Sequence, residues 1–390
     1  TDHPKPPLEP STPSGLTSNQ DEPDPPLVNR LKCPKCFDDG QSDDFWIMPV
    51  RRWVERSVNR PDPTEEVEVD IRNFGNTNIK TSAVVFGGGF VGGILINADD
   101  GTRRKAIRMA LDGGVNWIDT APMYGQGKSE EAIGWLLKEI NEDPIVSTKV
   151  NLDTTRLDDI AGQVEESLTT SLQLLDRDAV DVVHLHNCIT PTTGGRNLEV
   201  ERVIGPGGAL EALEAMRDQG LTRYIGITAL GDTACCTEVV NTGRVHSAQV
   251  YYNMINPSAA RGSGHGFPGQ SFSGLLKACR VHGVGTMGIR VFAAGILATD
   301  VRHGREIIIT DDTDVSSEEA RTRTAFSKLS MEAKGNTLYG TRAETALRYV
   351  LAEPMIDCAI VGLAELDHLR QVLNAAAAGP LPSTAVAVLG

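Results

Sequence analysis

Between residues 84 and 378 the chain repeats one cadence. A short apolar run is followed by a polar or glycine-bearing turn, then by a longer segment with apolar residues near helical spacing. The apolar runs fall at 84–86, 115–119, 145–149, 180–186, 224–230, 247–252, 284–292 and 356–361. Helical segments are predicted at 101–111, 130–140, 158–175, 209–219, 234–241, 271–281, 318–333, 341–352 and 366–378. Within 158–175, for instance, Ile160, Val164, Leu168 and Leu172 recur with the helical period. Strands that alternate with helices lie parallel and are covered by those helices. Eight of them predict an α/β fold, a closed (β/α)8 TIM barrel. An open doubly wound sheet is the alternative. It is disfavoured because the loop Gly87-Gly88-Gly89 lacks the dinucleotide fingerprint and its acidic ribose ligand.

The barrel pattern does not reach the N-terminus. Residues 1–66 form a Pro- and acid-rich extension, largely disordered by expectation, because its first thirty residues hold too little apolar surface to offset ordering. It carries CPKC at Cys33–Cys36 and an aromatic patch of Phe45, Trp46 and Trp53. CxxC is half of a tetrahedral zinc site, but no second pair or nearby His supplies the rest, so no metal is expected. The bland reading packs the tryptophans on the barrel or on a partner. Residues 67–83 read as a β-hairpin turning at Gly75-Asn76-Thr77-Asn78. Residues 67–382 are assigned to the barrel and 383–390 to a C-terminal tail.

Charge narrows the partners. Lys and Arg number 37 against 52 Asp and Glu, a net charge of −15. That argues against nucleic acid or an anionic membrane as partner. The seven cysteines show no disulfide spacing, no apolar run is long enough to span a bilayer, and no secretory signal is visible, so a reducing, cytoplasmic setting is expected. Of the uncharged stretch 81–98, a strand and a loop are expected.

The segment 113–134, GGVNWIDTAPMYGQGKSEEAIG, organises the chemistry. An apolar strand ends in Asp119 and is followed by Tyr124, then a helix with Ser129 as its expected N-cap. Strand ends of this kind are where a (β/α)8 barrel keeps its catalytic residues. His184 and His186 alternate onto one face of their strand. No third His lies near them in sequence, so His184 reads as a barrel-interior residue rather than a metal ligand.

The string DTAPMYGQGKSEEAIGWLL resembles the aldo/keto reductase superfamily, with further matches in order over 67–382. The resemblance implies a hairpin that closes the bottom of the barrel. It also implies a catalytic tetrad of Asp119, Tyr124, Lys149 (in VSTKV) and His186 (in VDVVHLHN). Such a set suits carbonyl reduction, which leaves a developing alkoxide to be protonated. A free Tyr with a pKa near ~10 is made more acidic by an adjacent lysine ammonium. An Asp holds that lysine, and a His donates to the carbonyl oxygen.

The same resemblance places an NAD or NADP cofactor on Gly88, Thr228, Gln249, Arg290, Gly362, His368, Arg370 and Gln371. Ala229 stands where an Asn often contributes. The segment 361–371 carries Gly362, Leu363 and His368 in place of the cations of phosphate-selective members, which favours NAD. IGITALGD, YYNMINPSA and the closing GPLP are similar to the galactose- or threo-aldose-type dehydrogenase branch, implying an aldose or other small carbonyl substrate. The loop 187–206, expected irregular, would line the substrate. The competing reading is a cofactor-binding barrel acting as a regulatory or scaffold subunit. Oligomeric state is not readable.

Overall fold

The computed structural model describes residues 69–89, 91–262, 267–301, 314–329 and 337–389. The 1–66 extension, with CPKC and the Trp46 and Trp53 side chains, lies outside them.

The described chain opens with β1 (Ile71–Asn73) and β2 (Lys80–Ser82), paired antiparallel with Asn73 opposite Lys80. Then follow β3 (Val84–Gly87), α1 (Ile94–Asn97), α2 (Asp100–Asp112), β4 (Trp117–Asp119), α3 (Lys128–Lys138), β5 (Ile145–Val150), α4 (Ile160–Leu175) and β6 (Val180–Leu185). Next come β7 (Cys188–Thr190), β8 (Asn197–Glu199), α5 (Val200–Ile204), α6 (Ala209–Asp218), β9 (Thr222–Ala229), α7 (Thr233–Asn241), β10 (Ser247–Tyr251), α8 (Ser258–Arg261), α9 (Leu275–His282) and β11 (Gly285–Ile289). The last are α10 (Val315–Lys328), α11 (Arg342–Leu351), β12 (Cys358–Gly362), α12 (Leu366–Ala377) and α13 (Ser383–Leu389).

Strands β3, β4, β5, β6, β9, β10, β11 and β12 form a closed barrel, each parallel to its neighbours. Local chemistry starts the helices where the sequence turns polar. Asp99, Asp159 and Asp232 each accept a backbone N–H three residues on, and Thr341 with Glu344 forms a reciprocal capping box.

The barrel interior changes character from bottom to top. At the N-terminal end of the strands, Val85, Trp117, Val182, Met287 and Cys358 pack with Phe74 from the hairpin turn. Phe74 meets Trp117 edge-on at 4.9 Å between centroids. The hairpin is pinned there by Asn76 N donating to Gly283 O and Gly75 N to Asp357 Oδ2. Gly285 is required at this contact, since a Cβ would lie 2.6 Å from the Phe74 ring. The hairpin thus plugs the bottom, as expected, and the interior becomes polar toward the top.

Several expectations need correction. The loop 187–206 is not irregular: β7 and β8 pair in parallel, and α5 follows. The stretch 81–98 holds a helix, α1, as well as a strand. The expected tail at 383–390 is the helix α13, with Ala385 buried. Ser129 is not the N-cap of its helix. Gly127 caps α3 with a left-handed backbone, φ +87°, and Ser129 is buried in the first turn against Thr120 Oγ1, 2.9 Å away.

Candidate active site

At the C-terminal end of the barrel β4 stops at Asp119 and β5 reaches Lys149. Both side chains point inward and are almost wholly buried, at 3% and 1% exposure. Lys149 Nζ donates to Asp119 Oδ2 at 2.6 Å and to the Thr120 carbonyl at 2.7 Å. Asp119 Oδ1 accepts from Ser147 Oγ at 2.7 Å and from Gln249 Nε2 at 2.9 Å. Ser147 in turn accepts from Trp117 Nε1. Three donors therefore converge on one buried carboxylate, as such a charge requires. Burial works against the Lys149 ammonium, but Asp119 and Tyr124 outweigh it and hold its pKa above the usual lysine value.

Lys149 has a third N–H beyond these two bonds. Tyr124 is half-buried beside it, with Lys149 Nζ 4.9 Å from the ring centroid. The ring is placed by a tight turn after Ala121, followed by left-handed backbone at Gly125, Gln126 and Gly127. His186, one residue past β6, meets Tyr124 edge-on at 6.0 Å and 88°. Its backbone N–H donates to Val150 O, while Nδ1 has no partner among the described residues. Burial first, then the charges of Lys149, Arg196, His184 and Arg290, keep the His186 pKa well below its usual value. The ring is neutral at pH 7 and can donate one N–H without carrying a charge. The structure therefore brings Asp119, Tyr124, Lys149 and His186 together from three adjacent strands.

His184 lies one layer below. Its Nε2 shares a hydrogen bond of 2.8 Å with Ser247 Oγ, and Gly226 leaves room for the ring, since a Cβ there would lie 2.7 Å from its Cδ2. Burial, then the Lys149 charge, lowers its pKa to about 3. A base depressed on folding binds fewer protons folded than unfolded, so its contribution to stability is whole above the unfolded pKa and is lost as pH falls. The expected result is a Tm that falls on acidification between pH 6.5 and about 3. His184→Gln should flatten that dependence by up to about 1.4 kcal/mol per pH unit. Equal slopes for the two proteins in thermal melts would contradict this.

The residues expected around a cofactor occupy two regions. Thr228, near the end of β9, is buried with its Oγ1 unpartnered among the described residues. Gln249 commits Nε2 to Asp119 and leaves Oε1 uncommitted there. Gly88 is bound to β4, its N–H donating to Asp119 O, and a Cβ on it would lie 2.5 Å from Ser129 Oγ. Its neighbour Gly89 is the glycine whose missing Cβ faces the Tyr124 ring, at 3.6 Å. Arg290 follows β11 in a left-handed conformation, φ +59°. Gly362 lies exposed at the end of β12 against the backbone of Gly92, and α12 begins after Glu365, which provides no side-chain cap. His368 and Arg370 are exposed. Arg370 pairs with Asp367, and Gln371 Nε2 also donates to Asp367.

Sequence reasoning missed the inner support of the carboxylate, Ser147 and Trp117. It also missed Glu130. Glu130 is buried behind β5, bonded to Thr148 Oγ1, and burial raises its pKa. Arg196, within TTGGRN, carried no local signal; its position comes from the β7–β8 pairing.

With this geometry the chain is a (β/α)8 barrel whose polar end carries a Tyr–Lys–Asp–His constellation. It belongs to the aldo/keto reductase family, whose profile matches residues 83–389. It is accordingly an oxidoreductase of that family. L-galactose dehydrogenase of Arabidopsis thaliana is 26% identical over 319 residues, 81% of this chain and 90% of that protein. D-threo-aldose 1-dehydrogenase of a Pseudomonas species is 26% identical over 243 residues, 55% of this chain and 67% of that protein. The holo form of aldo-keto reductase AKR11C1 from Bacillus halodurans shares the fold, with a TM-score of 0.62, 20% identity, and 82% of this chain and 95% of that one covered. Among the described residues no helix is long and apolar enough to cross a membrane.

Proposed function

We propose that this chain interconverts an alcohol and a carbonyl on an aldose or similar small compound, with a nicotinamide dinucleotide as redox partner and Tyr124 as acid–base. The observation that carries this reading is the buried Asp119–Lys149 pair set against Tyr124, with His186 edge-on to the same ring. The two aldose-type dehydrogenase relatives favour a sugar substrate.

The dinucleotide fits the residues present. Thr228 offers a buried, unpartnered hydroxyl and Gln249 a free amide oxygen, partners suited to a carboxamide. Gly362 and the start of α12 offer bare backbone, where N–H groups favour phosphate. When bound, the dinucleotide supplies the hydride donor or acceptor. The chain's own residues do the rest. Asp119 fixes Lys149, and the pair holds an ammonium beside the Tyr124 ring. Tyr124 gives a proton to the oxygen in reduction and takes it in oxidation. His186, kept neutral by burial, donates a hydrogen bond to that oxygen and orients it.

NAD is the favoured form. Asp367 puts a carboxylate in the first turn of α12 and ties up Arg370 and Gln371, leaving little free positive charge for a 2′-phosphate. Asp367→Ala should raise affinity for NADPH relative to NADH by about three- to tenfold, read by fluorescence titration. An unchanged ratio would remove Asp367 from cofactor selection. The function itself is tested by incubating the protein with NAD and a panel of aldoses while following reduced nicotinamide absorbance. Saturable turnover of an aldose is expected. No turnover of any alcohol or carbonyl compound by folded protein would refute it.

A further inference from the structure

Most arginines on the described surface meet a carboxylate, as Arg104 meets Glu139, Arg223 meets Asp181 and Arg244 meets Glu214. That is the expected state of a chain with a net charge of −15. Two arginines at the mouth of the candidate site depart from it. Neither Arg196 nor Arg290 has a side-chain hydrogen bond or ion pair among the described residues.

Their positions are fixed by backbone. Arg290 directly follows β11, at the end of the barrel that carries Tyr124 and His186. Its left-handed conformation, held by Asn253 Nδ2 donating to the Arg290 carbonyl at 3.0 Å, is one that a non-glycine residue rarely adopts. It is half-buried, and burial pushes its pKa below the usual arginine range. Arg196 lies in the β7–β8 connection. Its carbonyl accepts the N–H of Cys188, two residues beyond His186, and Thr154 Oγ1 holds the neighbouring Gly195 carbonyl. The exposed Arg196 side chain therefore starts beside the His186 strand end. The two guanidinium groups feel each other, and both act on His186. Among the described residues, the carboxylates nearby are committed. Asp119 holds Lys149, and Glu318, which Arg290 also feels, pairs with Arg321 at 3.6 Å.

We propose that Arg196 and Arg290 together bind an anionic group of the substrate, a carboxylate of the uronic-acid type, at the end of the sugar away from the carbonyl presented to Tyr124 and His186. Two cations at one end of the barrel, one half-buried and one exposed, with no side-chain partner among the described residues, suit a bidentate anion. The phosphates of the dinucleotide are a poorer match, because Arg196 sits after β6, across the mouth from β12 and α12. The proposal rests on the redox function above, and it narrows the substrate from aldoses in general to acidic ones.

The test compares D-galactose with D-galacturonate on the full-length protein with its dinucleotide. Charge-assisted hydrogen bonds predict a KM for the uronate about ten- to a hundredfold below that for the neutral sugar. Arg196→Gln should raise the uronate KM about tenfold, well beyond any change in the galactose KM, with Arg196→Lys restoring part of the difference. Calorimetry separates substrate from cofactor at the second position: Arg290→Gln should lose uronate affinity and keep that for NADH. Equal KM values for the two sugars in the parent protein would overturn the proposal. So would an Arg290→Gln variant that loses NADH affinity and keeps that for the uronate. If no sugar is turned over, the redox reading fails separately. Saturable galacturonate binding abolished by Arg196→Gln would then still support the anion site, and no binding would refute it.

Discussion

Replacing Tyr124 with Phe should lower kcat by about 10²–10⁴-fold while changing dinucleotide affinity little. The variant removes one hydroxyl and keeps the ring that meets His186 edge-on and lies 4.9 Å from Lys149 Nζ. The turn that places the ring is built from backbone at Ala121 and Gly125–Gly127 and does not use the hydroxyl. Steady-state kinetics beside calorimetric titration separates the two effects. Turnover within about threefold of the parent would remove Tyr124 as the acid–base, because a positioned proton donor contributes far more than that.

The second large effect is on folding. Lys149→Met deletes the cation from a pair whose members are 1% and 3% exposed. Asp119 would keep Ser147 and Gln249 as donors but would lose its neutralising charge. Breaking a buried pair from one side costs about 3–5 kcal/mol, which in a barrel of this size lowers Tm on the order of 5–10 °C. Adding Asp119→Asn should recover part of the stability, since the stranded charge disappears, and none of the activity, since nothing then holds a cation beside Tyr124. Thermal melts of the parent, single and double variants read this directly. A double variant no more stable than Lys149→Met would show that the cost lies in packing rather than in the uncompensated carboxylate.

The barrel was legible because its signal is local and repeated. Each strand is a short apolar run, each helix has periodic apolar residues and a polar start, and all eight barrel strands fall where the sequence puts them. Asp119, Tyr124, Lys149 and His186 were grouped through the family resemblance of their local strings, and the structure brings them together at or just past strand ends, where the fold concentrates chemistry. What escaped depends on three-dimensional neighbours. β7 and β8 are three residues each, pair with each other and bridge through Ile189 to Gly231, so the loop could be read as a substrate wall without Arg196 being singled out. Ser129 has the composition of an N-cap, yet the left-handed Gly127 starts the helix earlier and turns the serine onto Thr120. Gly88 and Gly89 cannot be told apart in sequence. Their orientation sends one toward Ser129 and the other toward Tyr124. Asp367 was overlooked beside Arg370 because a cation read alone looks like a phosphate ligand, and its partner three residues away cancels it.

The central claim is that the polar end of this barrel is a nicotinamide redox site. Its most direct test is a calorimetric titration of the full-length protein with NADH, NADPH and their oxidised forms. The account predicts saturable binding of one dinucleotide per chain, tighter for the NAD pair and weakened by Thr228→Val. Folded protein that binds none of the four forms would contradict it.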